Sequence, residues 1–207
     1  MQCAREKKMS YIAQIFPSDT AASVFYLVYL LWPVSEFVGG AVIPRLRRRG
    51  VSIKREDRSS RLLIFLSIFL SLAVAWFFAT AGIAMLPSWV YYPGVAVMIL
   101  GIALRQWSIA VLGRFFSGTV GVQAGQKVVD KGPYRLVRHP SYTGALLILI
   151  GLGLALQSWG AILAIVSLFG VAFGYRMHVE EEVLTSQLGD EYIQYTKRTK
   201  RLIPYVL

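Results

Sequence analysis

Arg138 and His139 stand in the chemically densest stretch of the chain, Gly132-Pro-Tyr-Arg-Leu-Val-Arg-His-Pro-Ser-Tyr-Thr-Gly144. Pro140 confines His139 to extended backbone and suits the first turn of a helix, where its missing N–H is no loss. A helix starting there presents free amides and a positive dipole end, and Arg138 and His139 add two donors beside them. That is the pattern of an anion site. The plainer alternative has Arg138 snorkelling to lipid phosphate and Tyr142 anchoring a membrane interface. A second constellation is Arg176-Met-His-Val-Glu-Glu-Glu182. Arg176 and Glu180 are four apart and share a helix face, and a simple ion pair there is worth only about 0.2–0.5 kcal/mol. The stabilising order puts the acid first, whereas here the arginine leads. Three adjacent acids at a membrane boundary also call for a cationic partner, which a sulfonium or an α-ammonium group would supply. His178 is expected to be exposed. With two histidines and one cysteine, Cys3, in the chain, a His-rich metal site, a Cys-based one and a disulfide framework are all excluded.

The elements that must position these residues are membrane helices. The chain has 207 residues, 56% hydrophobic and only 16% charged, against about 25% charged in a soluble domain. Residues 62–104 and 139–175 contain no Asp, Glu, Lys or Arg. A bilayer span needs about 20 apolar residues, so each run holds two spans and a tight turn. The expected fold is all-α integral membrane, with about five transmembrane helices at 21–43, 62–86, 94–112, 142–156 and 161–175 in a single membrane domain. Segments 113–141 and 176–207 are polar, the first a structured loop and the second a helical tail. The net charge of +11 fits Lys and Arg flanking spans beside anionic lipid, and no nucleic-acid role is expected. Excess Lys and Arg in 44–61, 113–141 and the tail puts these three segments in the cytoplasm. The N-terminus shows no clean signal peptide. Fifteen uncharged residues reach only about 22 Å against a hydrocarbon core of about 30 Å. Either the last two helices extend past these limits or their cytoplasmic ends sit below the membrane surface, which would place residues near 139–142 and 176–181 in a pocket at the interface.

The block at 132–144, followed by Arg176-x-x-x-Glu180-Glu181-x-x-Leu184, Leu188-Gly-Asp-Glu-Tyr192-x-x-Tyr195 and Arg201-Leu-Ile-Pro204, resembles isoprenylcysteine carboxyl methyltransferases. Related blocks occur in phospholipid methyltransferases and bacterial relatives, and the resemblance covers roughly residues 105–207. It implies an integral membrane methyltransferase using S-adenosylmethionine (SAM), with 113–141 and 176–207 as cytoplasmic cofactor-binding segments. Carried over by motif, Gln126, Lys127, Val128, Val129, Tyr134, Arg138, His139, Pro140, Ser141, Tyr142 and Glu180 would bind the cofactor. Arg176 would meet the acceptor carboxylate. Many relatives carry His where this chain has Gln126, which donates a hydrogen bond but holds no charge. The chain is also shorter than eukaryotic members, which have extra N-terminal spans.

The implied partners are a lipophilic methyl acceptor entering from the bilayer and the membrane lipids, with no metal. A carboxylate acceptor is ionised at neutral pH, so alignment and exclusion of water matter more than a general base. A phospholipid amine or small thiol acceptor would instead need deprotonation by His139, His178 or a carboxylate. A membrane sterol reductase shares a similar C-terminal segment but needs a 2′-phosphate site, for which only Lys127 and Lys131 offer themselves. A transporter or lipid-binding scaffold would call for polar residues mid-span or an inverted repeat. Only Glu36 and Arg105 qualify, and no repeat is evident. Gly151 and Gly153 lie within a span without a preceding strand, against a dinucleotide-type fold.

Overall fold

The computed structural model describes residues 15–48, 59–123 and 125–204. Cys3, the N-terminal basic residues and the basic stretch 49–58 lie outside them. Backbone inside a bilayer must satisfy its own hydrogen bonds, which favours helices throughout. Seven α-helices are seen among the described residues: α1 (Asp19–Ser35), α2 (Ile43–Arg48), α3 (Ser60–Ala81), α4 (Tyr91–Leu112), α5 (Pro140–Ala155), α6 (Trp159–Leu188) and α7 (Asp190–Arg198). There is no β-strand among these residues, only two isolated bridges. The expected all-α membrane fold is therefore the observed one. Four helical stretches, Asp19–Val42, Ser60–Ala81, Ser88–Phe115 and Trp159–Leu188, are long and apolar enough to cross a membrane. Helix α5 is apolar but has 16 residues, about 24 Å of rise. Helix α6 has 30 residues, about 45 Å, and does not break at Tyr175. The polar tail expected to follow the last span starts as a direct continuation of it.

The lipid-facing surface carries large apolar side chains such as Leu27, Phe69 and Val171, the last two 73% and 78% exposed. On a water-soluble protein such a surface would be a binding or aggregation site. Inside the bundle the helices meet through small residues, as expected where lipid supplies no hydrophobic drive between helices. Helices α4 and α5 run antiparallel along a seam of Gly94, Gly101, Gly144 and Gly151. A Cβ at Gly101 would stand 2.7 Å from the Ile148 nitrogen, and one at Gly144 would stand 2.8 Å from the Arg105 nitrogen. Helix α3 turns its buried stripe of Ser60, Ser67, Ser71, Ala75 and Ala79 inward.

Both ends of the bundle are pinned. At one end Ser158 caps α6 by accepting from the Ala161 amide at 3.2 Å, a favoured N-cap pairing. The neighbouring Leu86 and Trp159 amides donate to Gln157 and Ala84 carbonyls at 2.7 and 2.9 Å. At the other end α1 passes through a π-helical segment, Glu36–Val42, before α2. Pro33 lies just upstream within α1, and it cannot donate into the ladder. Gly39 and Gly40 follow, and a Cβ at Gly39 would overlap the side chain of Gln106 on α4. π-Helical turns recur at functional sites, and this one faces the cavity described next.

Candidate active site

A cavity of about 510 Å³ occupies this second end. Its polar half is built from three segments. The loop between α4 and α5 brings Gln126, Lys127, Val128 and Val129, and its 3₁₀ turn Gly132–Arg135 presents Tyr134. The start of α5 brings His139, Ser141 and Tyr142, and the overhanging part of α6 brings Arg176 and Glu180. Arg138 also lines the cavity. Pro140 does not; it is buried as the first residue of α5, directing the residues on either side of it. All the other sequence-predicted site residues thus meet in one space. The apolar half lies between α1 and α3, against Trp32, Phe37, Ile64 and Phe65. Phe37 and Phe65 are also exposed on the outer surface, so this half reaches the lipid-facing side of the bundle.

Arg176 is 4% exposed and sits where the two halves join. Its guanidinium donates to the Tyr142 hydroxyl at 3.2 Å, Ser60 Oγ at 3.0 Å and the Gly118 carbonyl at 3.0 Å. The Tyr142 hydroxyl in turn donates to Glu180 Oε2 at 2.5 Å. The i,i+4 spacing of Arg176 and Glu180 thus places both on Tyr142 rather than on each other. The His139 ring stacks on Tyr142 at 5.3 Å between centroids, and its Nδ1 is 4.0 Å from Glu180 Oε2.

Sequence reasoning assigned the donors of Arg138 and His139 to an anionic ligand; here both meet Glu181. Arg138 Nε donates to Glu181 Oε1 at 2.6 Å, and His139 Nε2 lies 3.0 Å from the same oxygen. Arg201 Nη2 reaches Glu181 Oε2 at 2.8 Å. Adjacent carboxylates on α6 therefore face different ways: Glu181 ties loop and tail together, while Glu180 lines the cavity. The tail runs alongside the loop as a strap. The Arg138 and His139 amides donate to the Lys200 and Arg201 carbonyls at 2.8 and 3.0 Å, and Tyr195 donates to the Tyr134 carbonyl at 2.8 Å. Val128 N donates to Glu191 at 3.3 Å, bringing α7 against the 126–129 loop. The Gln126 side chain accepts from the Gln123 amide at 2.9 Å, so part of its hydrogen-bonding capacity shapes its own turn.

An ion pair between Glu36 and Arg105 also lines the cavity. Arg105 Nη2 donates to Glu36 Oε2 at 2.7 Å, and Nη1 donates to the Ser141 carbonyl at 3.0 Å. Helix α1 is thereby linked through α4 to the first turn of α5. The sequence marked both residues as the mid-span polar exceptions, but their separation of 69 positions carries no local signal of pairing.

Burial raises the phenols of Tyr134, Tyr192 and Tyr195 well above their ordinary range, so all three are neutral donors at physiological pH. The hydroxyls of Tyr134 and Tyr192 are buried without a hydrogen-bond partner, and both residues line the cavity. Orphaned phenols beside the cavity-facing Glu180 fit a ligand carrying both hydrogen-bonding groups and positive charge.

Residues 94–186 match the family model for the isoprenylcysteine carboxyl methyltransferase family. Among curated relatives, protein-S-isoprenylcysteine O-methyltransferase B of Arabidopsis thaliana is 30% identical over 120 residues, covering 57% of this chain and 61% of that protein. The probable protein-S-isoprenylcysteine O-methyltransferase of Oryza sativa subsp. indica is 28% identical, covering 56% and 62%. The chain thus spans about three fifths of the length of these relatives. A solved structure of a eukaryotic intramembrane Ras methyltransferase, isoprenylcysteine carboxyl methyltransferase, is similar with a TM-score of 0.62 at 27% identity. That match covers 86% of this chain and 64% of the other. Residues 94–186 of this chain are thus similar in sequence to the isoprenylcysteine carboxyl methyltransferase family, and the helical fold is similar to that of one solved isoprenylcysteine carboxyl methyltransferase.

Proposed function

We propose that this multi-pass membrane protein is a SAM-dependent methyltransferase acting on the carboxylate of an isoprenylcysteine-like lipophilic acceptor. The observation that carries the reading is the single cavity joining a polar half around Glu180 to an apolar half between α1 and α3. A water-soluble methyl donor and a lipid-borne acceptor would meet there at Arg176. The names of the two relatives above, a protein-S-isoprenylcysteine O-methyltransferase and a probable one, support the acceptor class. The Lys and Arg excess of the loop and tail supports a cytoplasmic location for the polar half.

When bound, SAM supplies an electrophilic methyl carbon on a sulfonium. Transfer of that methyl to an already ionised acceptor oxygen, with the electron pair of the broken bond left on sulfur, would require no proton movement. The residues therefore need to bind, align and keep water out. Glu180, which accepts a hydrogen bond from Tyr142, offers negative charge to the donor's cationic part. Tyr134, His139, Ser141, Tyr142 and the 126–129 loop would enclose the rest of the donor. The cluster on Glu181 holds Arg138 and His139 in place. Arg176, fixed by Tyr142, Ser60 and Gly118, would orient the acceptor carboxylate.

The test is labelled methyl transfer from SAM by the reconstituted protein to a farnesylcysteine analogue, phosphatidylethanolamine and a small thiol. Transfer to the first is expected. Transfer to one of the others alone would overturn the acceptor assignment, and failure to bind SAM would overturn the whole reading. Arg176→Lys keeps the charge but loses the three-way anchoring. It is expected to lower kcat about 100-fold while S-adenosylhomocysteine still binds, and full activity would refute the role given to Arg176.

A further inference from the structure

We propose that Tyr192, on α7 and beyond the segment matched by the family model, is an additional cofactor-binding residue whose phenol hydrogen-bonds the methyl donor. The inference rests on the reading that the cavity holds SAM. Tyr192 is 4% exposed and lines the cavity, yet its hydroxyl has no hydrogen-bond partner. Folded proteins rarely leave a buried polar atom unpaired, and those that do so at a ligand site commonly complete the bond with the ligand.

The orphan does not reflect a loosely placed helix. Tyr195, one turn along the same helix, has its hydroxyl bonded to the Tyr134 carbonyl at 2.8 Å. Just past α7, the Thr199 carbonyl accepts from Arg138 Nη1 at 2.6 Å, and Arg201 is tied to Glu181. On the other side of Tyr192, Glu191 accepts from Val128 N at 3.3 Å, so α7 is anchored both before and after Tyr192, and the buried phenol of Tyr195 is satisfied by protein. Tyr134 supplies a second unpartnered hydroxyl to the same cavity from the loop. Two neutral phenols, one from the loop and one from the tail, therefore border the same polar half as Glu180. Their chemistry suits the oxygen and nitrogen acceptors of a nucleoside–amino acid ligand, with Glu180 left to the cationic part.

Tyr192→Phe tests this by removing only the orphaned oxygen. Binding of S-adenosylhomocysteine to the full-length protein is measured by titration calorimetry, alongside the melting temperature of the ligand-free protein. The expected result is about tenfold weaker binding, with a ligand-free melting temperature equal to or above that of the unaltered protein. A residue serving only to pack the tail would not combine these two changes. Tyr195→Phe, which loses a bond to protein, should instead lower the ligand-free melting temperature. Equal affinity in Tyr192→Phe and the unaltered protein overturns the inference alone. Failure of the unaltered protein to bind either S-adenosylhomocysteine or SAM overturns the functional reading and the inference with it.

Discussion

Gly144→Ala and Gly170→Ala make the same chemical change in two helices, and the structure predicts opposite signs. At Gly144 the new Cβ would lie 2.8 Å from both the Arg105 nitrogen and Cβ, and 2.9 Å from the Gly101 carbonyl oxygen. Ordinary contacts to carbon begin near 3.5 Å, so α4 and α5 must part by about 0.7 Å. The obstructing atoms are mostly backbone and cannot rotate away, which puts the cost in the upper part of the usual overpacking range, about 2–3 kcal/mol. Gly170 lies inside α6 with nothing within 4 Å of a Cβ. Alanine there removes glycine's helix penalty, a gain of about 0.5–1 kcal/mol. At about 2–4 °C per kcal/mol for a chain of this size, Gly144→Ala should melt about 4–12 °C lower and Gly170→Ala about 1–4 °C higher. Tryptophan fluorescence during thermal unfolding in detergent reads both. The Gly144 change also strains the bond from Arg105 to the Ser141 carbonyl, so S-adenosylhomocysteine binding should weaken in that variant only. Equal melting temperatures for the two variants, or a larger loss at Gly170, would refute the close-packed seam.

Two further perturbations probe the link from α1 and the tail. Glu36→Gln leaves the Arg105 guanidinium without its carboxylate and should destabilise by about 3 kcal/mol. Adding Arg105→Met should recover part of that loss, whereas strictly additive losses in a double-mutant cycle would show the pair to be energetically uncoupled. Burial raises the folded-state pKa of Tyr192 and Tyr195, so above the unfolded value of about 10 the phenols ionise first in the unfolded chain and folding stability falls as pH rises. Melting temperature followed from pH 9 upward should fall less steeply in the Tyr192→Phe, Tyr195→Phe double variant, and identical slopes would refute the assignment.

The membrane character of the chain was legible because it depends on composition over long windows, and the charge-free runs at 62–104 and 139–175 are hard to place elsewhere. The start of α5 was legible because Pro140 is a local signal. The grouping of the site residues within 126–142 with Arg176 and Glu180 is implied by the family resemblance of their motifs, and these residues line one cavity, Pro140 excepted. The contacts inside that cavity were not legible. Glu180 and Glu181 are identical neighbours in sequence, and only a difference of about 100° around a helix sends one to the cavity and the other to Arg138, His139 and Arg201. The Glu36–Arg105 pair depends on how α1 lies against α4, which no local pattern encodes. The π-helical segment arises where Pro33, Gly39 and Gly40 weaken the α-helical preference beside a close neighbour. Of these, the sequence reading noted only the interruption by Pro33. Tyr192 belonged to a recognised block, yet its unpaired hydroxyl is a property of the folded surroundings alone.

The unbroken course of α6 has a consequence for the lipid environment. Arg176 stands about 26 Å along this helix from Trp159 at 1.5 Å per residue, within one uninterrupted α-helix. The helix therefore works as a gauge: a thicker or thinner bilayer can be met only by altered tilt or by deformation of the lipid itself. In either case the headgroup level shifts against Arg176, and with it the depth at which the lipid-anchored carboxylate proposed as acceptor would be presented. On the proposed reading, acyl-chain length in the host membrane would become a variable in acceptor selection, acting without any rearrangement of the cavity wall.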